Sequence, residues 1–179
     1  MIPERRIELV ERAKENPILS PIAEHAWESR ATFNAAALEL EGTVHLLYRA
    51  MDADNRSVLG YASSKSGTKI SVRDKAPAYV PREHFELKAV DGPVAYGCED
   101  PRLTQIGTTI YMVYTAFDGK NPWKAALASI SVKDFLAKRW DKWSKPQLMT
   151  PDPVQDKDAC LMPVKVGGQY MILHRIDPM

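Results

Sequence analysis

The chain has 179 residues, of which 45% are apolar and 26% charged, and a formal net charge of +1. Such a chain is long enough to bury a core, and its near-zero charge argues against nucleic acid or an anionic membrane as partner. Two cysteines, Cys98 and Cys160, make no disulfide framework, and no apolar run approaches the ~20 residues of a membrane span, so a cytoplasmic protein is expected.

Met1-Ile2-Pro3-Glu4-Arg5-Arg6 has no apolar segment of signal-peptide length behind it. Over residues 4–15, Ile7, Leu9, Val10 and Ala13 fall near helical spacing among Glu and Arg, which predicts a short amphipathic helix ended by Asn16-Pro17. Residues 18–30 have no clear period and read as irregular. From Phe33 the pattern changes to short β-like runs: 33–40, a turn at Glu41-Gly42, 44–50, then 58–64 and a turn at Lys65-Ser66-Gly67. The same order recurs with a strand over 100–106, a turn at Gly107, and strands over 109–116 and 124–131. Residues 133–143 read as a short helix or an outer edge strand. A third recurrence starts at Cys160, turns at Gly167-Gly168 and runs over 169–176.

The turns at Gly42, Gly107 and Gly167 are spaced by 65 and 60 residues. Repeats of this length, each a hairpin plus further strands, suggest β-propeller blades, with a β-sandwich as the alternative. In either case the fold class is all-β. The start of a hairpin's first strand and the end of its second lie at the same end. If the repeats are blades, Asn34 with Arg49, Asp100 with Thr115, and Lys157 with Arg175 gather at one mouth.

The Glu99-Asp100-Pro101-Arg102 cluster, taken alone, fits a solvated turn with an Asp–Arg pair; the proline also directs Asp100 away from helical backbone. Among the other repeats it becomes a carboxylate facing several cations, which suits an acid catalyst with an anionic co-substrate. His25, His45, His84 and His174 are scattered and define no metal set. GxSxG, Walker and GxGxxG motifs are absent. Trp123, Trp140 and Trp143 are read as packing residues. One prominent acid with several cations suits glycosyl transfer to phosphate, because phosphate is already a nucleophile and needs a clamp rather than a general base.

Gly97-Cys98-Glu99-Asp100-Pro101-Arg102-Leu103-Thr104, followed by Tyr111-Met112-Val113-Tyr114-Thr115-Ala116, resembles the signature of glycoside hydrolase family 130, the β-mannoside phosphorylases and related mannosidases. Phe33-Asn34-Ala35-Ala36, Leu47-Tyr48-Arg49-Ala50, Leu59-Gly60-Tyr61-Ala62-Ser63-Ser64, Lys157-Asp158-Ala159 and His174-Arg175 match in order. The resemblance implies a five-bladed propeller, of which this chain holds about three blades in 31–179, after a lead-in over 1–30. It implies that Asp100 is the proton donor, acting through the 3-hydroxyl of the bound mannosyl unit. The implied substrate-binding set is Asn34, Arg49, Asp52, Arg56, Glu99 and Arg102, the last two placed to buttress Asp100, with Arg102 read as a structural salt bridge ahead of a substrate contact. Lys157 and Arg175 match phosphate-binding positions, so inorganic phosphate is the expected co-substrate, with no metal and no other cofactor. The implied reaction is inverting phosphorolysis of a β-mannoside to α-mannose 1-phosphate and a shortened acceptor. A hydrolase of the same fold and a non-catalytic carbohydrate-binding fragment are the alternatives.

Family members are much longer than this chain, and the remaining phosphate ligands, a His and a Tyr, belong to the part it lacks. The implied partners, besides mannoside and phosphate, are therefore a missing C-terminal half or a second copy in a homo-oligomer. Lys65-Ser66-Gly67 is a smaller departure, since the family usually has an acidic residue before that glycine.

Overall fold

The computed structural model describes residues 13–177. The helix expected over 4–15 lies almost wholly outside them. The described chain is mostly strand: β1 Ala31–Leu40, β2 Thr43–Met51, β3 Arg56–Ser64, β4 Ile70–Arg73, β5 Tyr96–Ile106, β6 Thr109–Phe117, β7 Lys124–Ser131, β8 Gln147–Leu148, β9 Gln155–Val166 and β10 Gln169–Asp177. One short helix, α1, covers Val132–Leu136.

β1 to β4 form one antiparallel meander and β5 to β8 a second, with β9–β10 a separate hairpin. The two meanders touch through a short parallel pairing, Arg56 with Tyr96 and Ser57 with Gly97. Gly97 is required there: a Cβ on it would lie 2.2 Å from the Ser57 carbonyl oxygen, and its φ is +117°. The hairpin turns follow the same logic. Glu41-Gly42 and Gly167-Gly168 are two-residue turns with positive φ at both positions, the backbone that a right-twisted hairpin prefers and that glycine adopts freely.

β2 is buried from His45 to Ala50 and β3 from Ser57 to Ser64, which explains their near-continuous apolar text. The main core joins the two meanders through Leu47, Leu59, Tyr61, Ile110, Met112, Tyr114 and Phe135. The Ser131 hydroxyl caps α1 by accepting from the Asp134 amide, and the helix delivers Phe135 to this core. A second cluster packs Ile18, Leu19 and Trp27 of the lead-in on Leu46, Tyr48 and Val58. A third packs Val113 and Ala125 on Ala159 and Leu161 of β9. The loop before β5 buries Glu86 completely. Its carboxylate accepts from the Arg82 and Glu83 amides, each at 2.8 Å, and from the Tyr114 hydroxyl.

Several boundaries differ from those expected. β5 starts at Tyr96 and β9 at Gln155, ahead of the apolar runs, so Asp100 and Lys157 lie within strands. β4 was not expected. Residues 133–143 hold part of α1 and a 3-10 turn, Trp140–Lys142, and the outer edge strand follows at β8. The β9–β10 hairpin exposes Val164, Val166, Tyr170, Met171, Leu173 and Ile176.

Candidate active site

β1, β5 and β9 each carry the same irregularity. Phe33 pairs with Arg49 and Ala36 with Leu47, so Asn34 and Ala35 together face Tyr48. Glu99 pairs with Thr115 and Arg102 with Val113, so Asp100 and Pro101 face Tyr114. Lys157 pairs with Arg175 and Cys160 with Leu173, so Asp158 and Ala159 face His174. Two residues opposing one is a β-bulge, which bends the strand and re-aims a side chain. The first residue of each bulge has left-handed backbone: φ is 48° at Asn34, 50° at Asp100 and 55° at Asp158. Such φ values in non-glycine residues cost about 1–3 kcal/mol each and gather at functional sites. A bulge also tolerates Pro101, which has no amide to give to the ladder.

This register corrects one expectation and sharpens another. Asp100, kept from right-handed helical backbone by Pro101, is left-handed within its strand. The third member of the set with Asn34 and Asp100 is Asp158, not Lys157, whose equivalents are Phe33 and Glu99.

Arg49 is the centre of the cluster. It reaches from β2 to donate from Nη2 to Glu99 Oε1 at 2.7 Å and from Nη1 to Asp100 Oδ1 at 3.2 Å. Its Nε donates to Ser57 Oγ at 3.0 Å, and its guanidinium lies 4.7 Å from the Phe33 ring centroid. The side chains of Arg49, Glu99 and Asp100 are only 11%, 10% and 17% exposed. A planar fork of donors suits this task better than a point charge would.

Arg102 does not buttress Asp100. Beyond the bulge it turns toward β9, where Nη2 lies 3.8 Å from Asp158 Oδ1, and Nη1 donates to the Pro101 carbonyl at 3.2 Å. Arg175 pairs with the same carboxylate, Nη2 to Oδ2 at 2.8 Å. The Lys157 ammonium lies 4.4 Å from the Trp123 ring centroid and has no ion-pair partner among the described residues. Asp52 is occupied locally: Oδ1 accepts from the Asp54 and Arg56 amides, each at 2.9 Å, and fixes the β2–β3 turn. The Arg56 guanidinium has no ion pair among the described residues, and the Asn34 side chain is exposed. Sequence reasoning missed Ser57 and Asp158. The signal for Asp158 was legible, since Phe33-Asn34-Ala35, Glu99-Asp100-Pro101 and Lys157-Asp158-Ala159 repeat one pattern.

Burial pushes the Glu99 carboxyl up to about 6. Arg49 opposes the rise, Asp100 adds to it, Lys157 opposes it and Asp158 adds to it. The folded state therefore binds the Glu99 proton more tightly than the unfolded chain does. That contribution to stability is fully present below pH 4.5 and lost as pH rises through about 6. The loss is about 2 kcal/mol. Glu99→Gln should flatten this fall in urea-unfolding free energies between pH 4.5 and 7; an unchanged slope would rule Glu99 out as its source.

No group of His, Cys, Asp and Glu that could hold a metal ion occurs among the described residues. No helix among them is long and apolar enough to cross a membrane. Cavities of about 380 and 390 Å³, the first lined by Asp118 and Lys124 and the second by Asn55 and Tyr96, do not include the Arg49 cluster.

The chain matches the glycoside hydrolase 130 family, described as β-1,4-mannooligosaccharide phosphorylase, over residues 4–179. It belongs to that family. It is 34% identical over 178 residues to a 1,2-β-oligomannan phosphorylase of Thermoanaerobacter sp. (strain X514), covering 94% of this chain and 54% of that one. A β-1,2-mannobiose phosphorylase of the same strain is 34% identical over 175 residues, covering 93% and 54%. The crystal structure of a glycosyl hydrolase from Bacteroides ovatus aligns with a TM-score of 0.73 at 29% identity, over 90% of this chain and 52% of that one. A second structure aligns with a TM-score of 0.74 at 26% identity, over 90% and 51%; it represents the finding that family 130 also contains glycoside hydrolases targeting β-1,2-mannosidic linkages in Candida mannan. The family's structures have a propeller-like fold, which the meanders of this chain share. The chain spans about half the length of these relatives.

Proposed function

We propose that this chain is the N-terminal part of an inverting β-mannoside phosphorylase. On this reading residues 31–179 are about three blades of a five-bladed propeller, residues 1–30 are its lead-in, and β1, β5 and β9 face a central channel. The observation that carries the reading is Asp100 on a strained bulge, held by Arg49. Lys157 has no ion-pair partner among the described residues and lies close enough to act on the Glu99 charge.

Asp100 passes its proton through the 3-hydroxyl of the mannosyl unit to the bridging oxygen. The bond from the anomeric carbon to that oxygen breaks as a phosphate oxygen attacks from the opposite face. The products are α-mannose 1-phosphate and an acceptor shortened by one mannosyl unit. Phosphate is the nucleophile, so no second carboxylate has to activate water. Asn34 and Arg49 hold the mannosyl unit, Arg56 adds a contact, and Lys157 and Arg175 hold phosphate as bidentate or point-charge donors. Glu99 supports Asp100 through their shared arginine, while Asp52 shapes the turn that presents Arg56. Inorganic phosphate is the co-substrate, and no other cofactor is used. The apolar side chains on β9–β10 are covered by the C-terminal half that the relatives carry, or by a second copy, in a cytoplasmic enzyme.

The test incubates β-1,2-mannobiose, the linkage named for the two 34% identical relatives, with and without phosphate. Two proteins are compared: the 179-residue chain, and its hybrid with the C-terminal half of the oligomannan phosphorylase. Mannose 1-phosphate formed by the hybrid only when phosphate is present is the expected result. Free mannose released without phosphate identifies a hydrolase instead. Mannoside binding without turnover in both proteins identifies a carbohydrate-binding module.

A further inference from the structure

We propose that Asp158 makes the anion site selective for a protonated oxyanion, admitting phosphate and rejecting sulfate. The inference rests on the phosphorolytic reading, in which Lys157 and Arg175 hold the anion. A site meant only to attract phosphate would surround it with cations. Here the bulge of β9 instead inserts a carboxylate between two of them, Arg175 at 2.8 Å and Arg102 at 3.8 Å.

Asp158 is held in that position. Its left-handed backbone is the one shared with Asn34 and Asp100, and its amide donates to Thr115 Oγ1 at 3.3 Å across to β6. Its two oxygens are not equivalent. Oδ2 is engaged by Arg175, whereas 3.8 Å to Arg102 is too long for a hydrogen bond, so among the described residues Oδ1 keeps its lone pairs. The side chain is 24% exposed, so a small anion drawn in by Lys157, Arg102 and Arg175 can reach it.

An ionised carboxylate can only accept hydrogen bonds. Beside an anion with a proton to give, it gains a P–OH···Oδ1 bond; beside one without, it adds only like-charge repulsion. Near neutral pH phosphate retains at least one P–OH and sulfate retains none. Asp158 thus supplies the repulsive element that discrimination between oxyanions of similar shape requires. The same chemistry predicts that arsenate, which also keeps a proton, is accepted with phosphate.

The isolated chain, labelled with ¹⁵N, is titrated with sodium phosphate and with sodium sulfate at pH 7 and constant ionic strength. The signals followed are the Asp158 and Arg175 amides and the arginine Nε–H groups. Phosphate should bind at least ~10-fold tighter than sulfate, well short of the discrimination an enclosed polar site achieves because this carboxylate is partly exposed. In Asp158→Asn, whose amide can donate as well as accept, sulfate should approach the affinity of phosphate. Equal affinities in the unaltered chain would overturn the inference while leaving the cationic clamp intact. Binding of neither anion would remove the clamp and the inference together. Loss of both anions in Asp158→Asn would show that the carboxylate only positions Arg175, and would also overturn it. Phosphorolysis itself is judged separately, by the product assay on β-1,2-mannobiose.

Discussion

Arg49→Met should destabilise the fold by about 3–5 kcal/mol at pH 7.5, the range seen when one partner of a buried ion pair is removed. Methionine retains the apolar stem, so packing loss is small, and the guanidinium's contact with the Phe33 ring goes with the charge. What remains is two nearly buried carboxylates, Glu99 and Asp100, on adjacent residues with their shared cation gone. Ser57 Oγ also loses the Nε donor that reaches it at 3.0 Å. The chain has one way to limit the loss, which is to protonate Glu99, already pushed up to about 6 by burial. The deficit should therefore shrink as pH falls toward 5. Adding Glu99→Gln to Arg49→Met should recover part of it at pH 7.5, because one of the two uncompensated charges is then gone. Urea midpoints for the two single variants and the double variant provide the measurement. A loss below about 1 kcal/mol, the range of a solvent-exposed pair, would mean that the cluster is a solvated surface turn.

The hairpins were legible because their turns demand positive φ and the chain supplies Gly42, Gly107 and Gly167-Gly168 for it. Strand starts were less legible. β5 and β9 begin in polar text, Tyr96-Gly97-Cys98-Glu99 and Gln155-Asp156-Lys157, which has no alternation to reveal it. The meeting of Arg49 with Asp100 followed from treating hairpin ends as equivalent, since both residues sit at the same end of their repeats. The same argument failed by one residue in the third repeat. Lys157 pairs with Arg175 in the ladder, but the residue that the bulge turns outward is Asp158. A bulge is set by cross-strand register, and composition alone does not show it. Sequence proximity points Arg102 at the carboxylates beside it, yet its ion-pair partner is 56 residues away on β9. The bulge at Asp100-Pro101 separates Arg102 from its sequence neighbours, and only the packing of β5 beside β9 could supply Asp158.

Asp100→Asn should lower mannoside phosphorolysis by about 10²- to 10⁴-fold in the hybrid that carries both halves of the site, the range for loss of a positioned general acid. The amide keeps the shape of the side chain and still accepts from Arg49 Nη1, so the fold and the bulge should persist. It has no acidic proton to pass to the leaving oxygen. The loss should appear in kcat with little change in KM for either substrate, because an interaction made only in the transition state is removed. Glu99→Gln is the necessary comparison. Glu99 is the carboxylate with the raised pKa, and on that ground alone it is a rival acid. Its position argues otherwise: Glu99 pairs in the ladder with Thr115 ahead of the bulge, whereas Asp100 is the residue that left-handed backbone turns out of the ladder. Glu99→Gln should therefore cost much less than Asp100→Asn. A reversed order, with Glu99→Gln the inactive variant, would transfer the acid to Glu99 and leave Asp100 as its support.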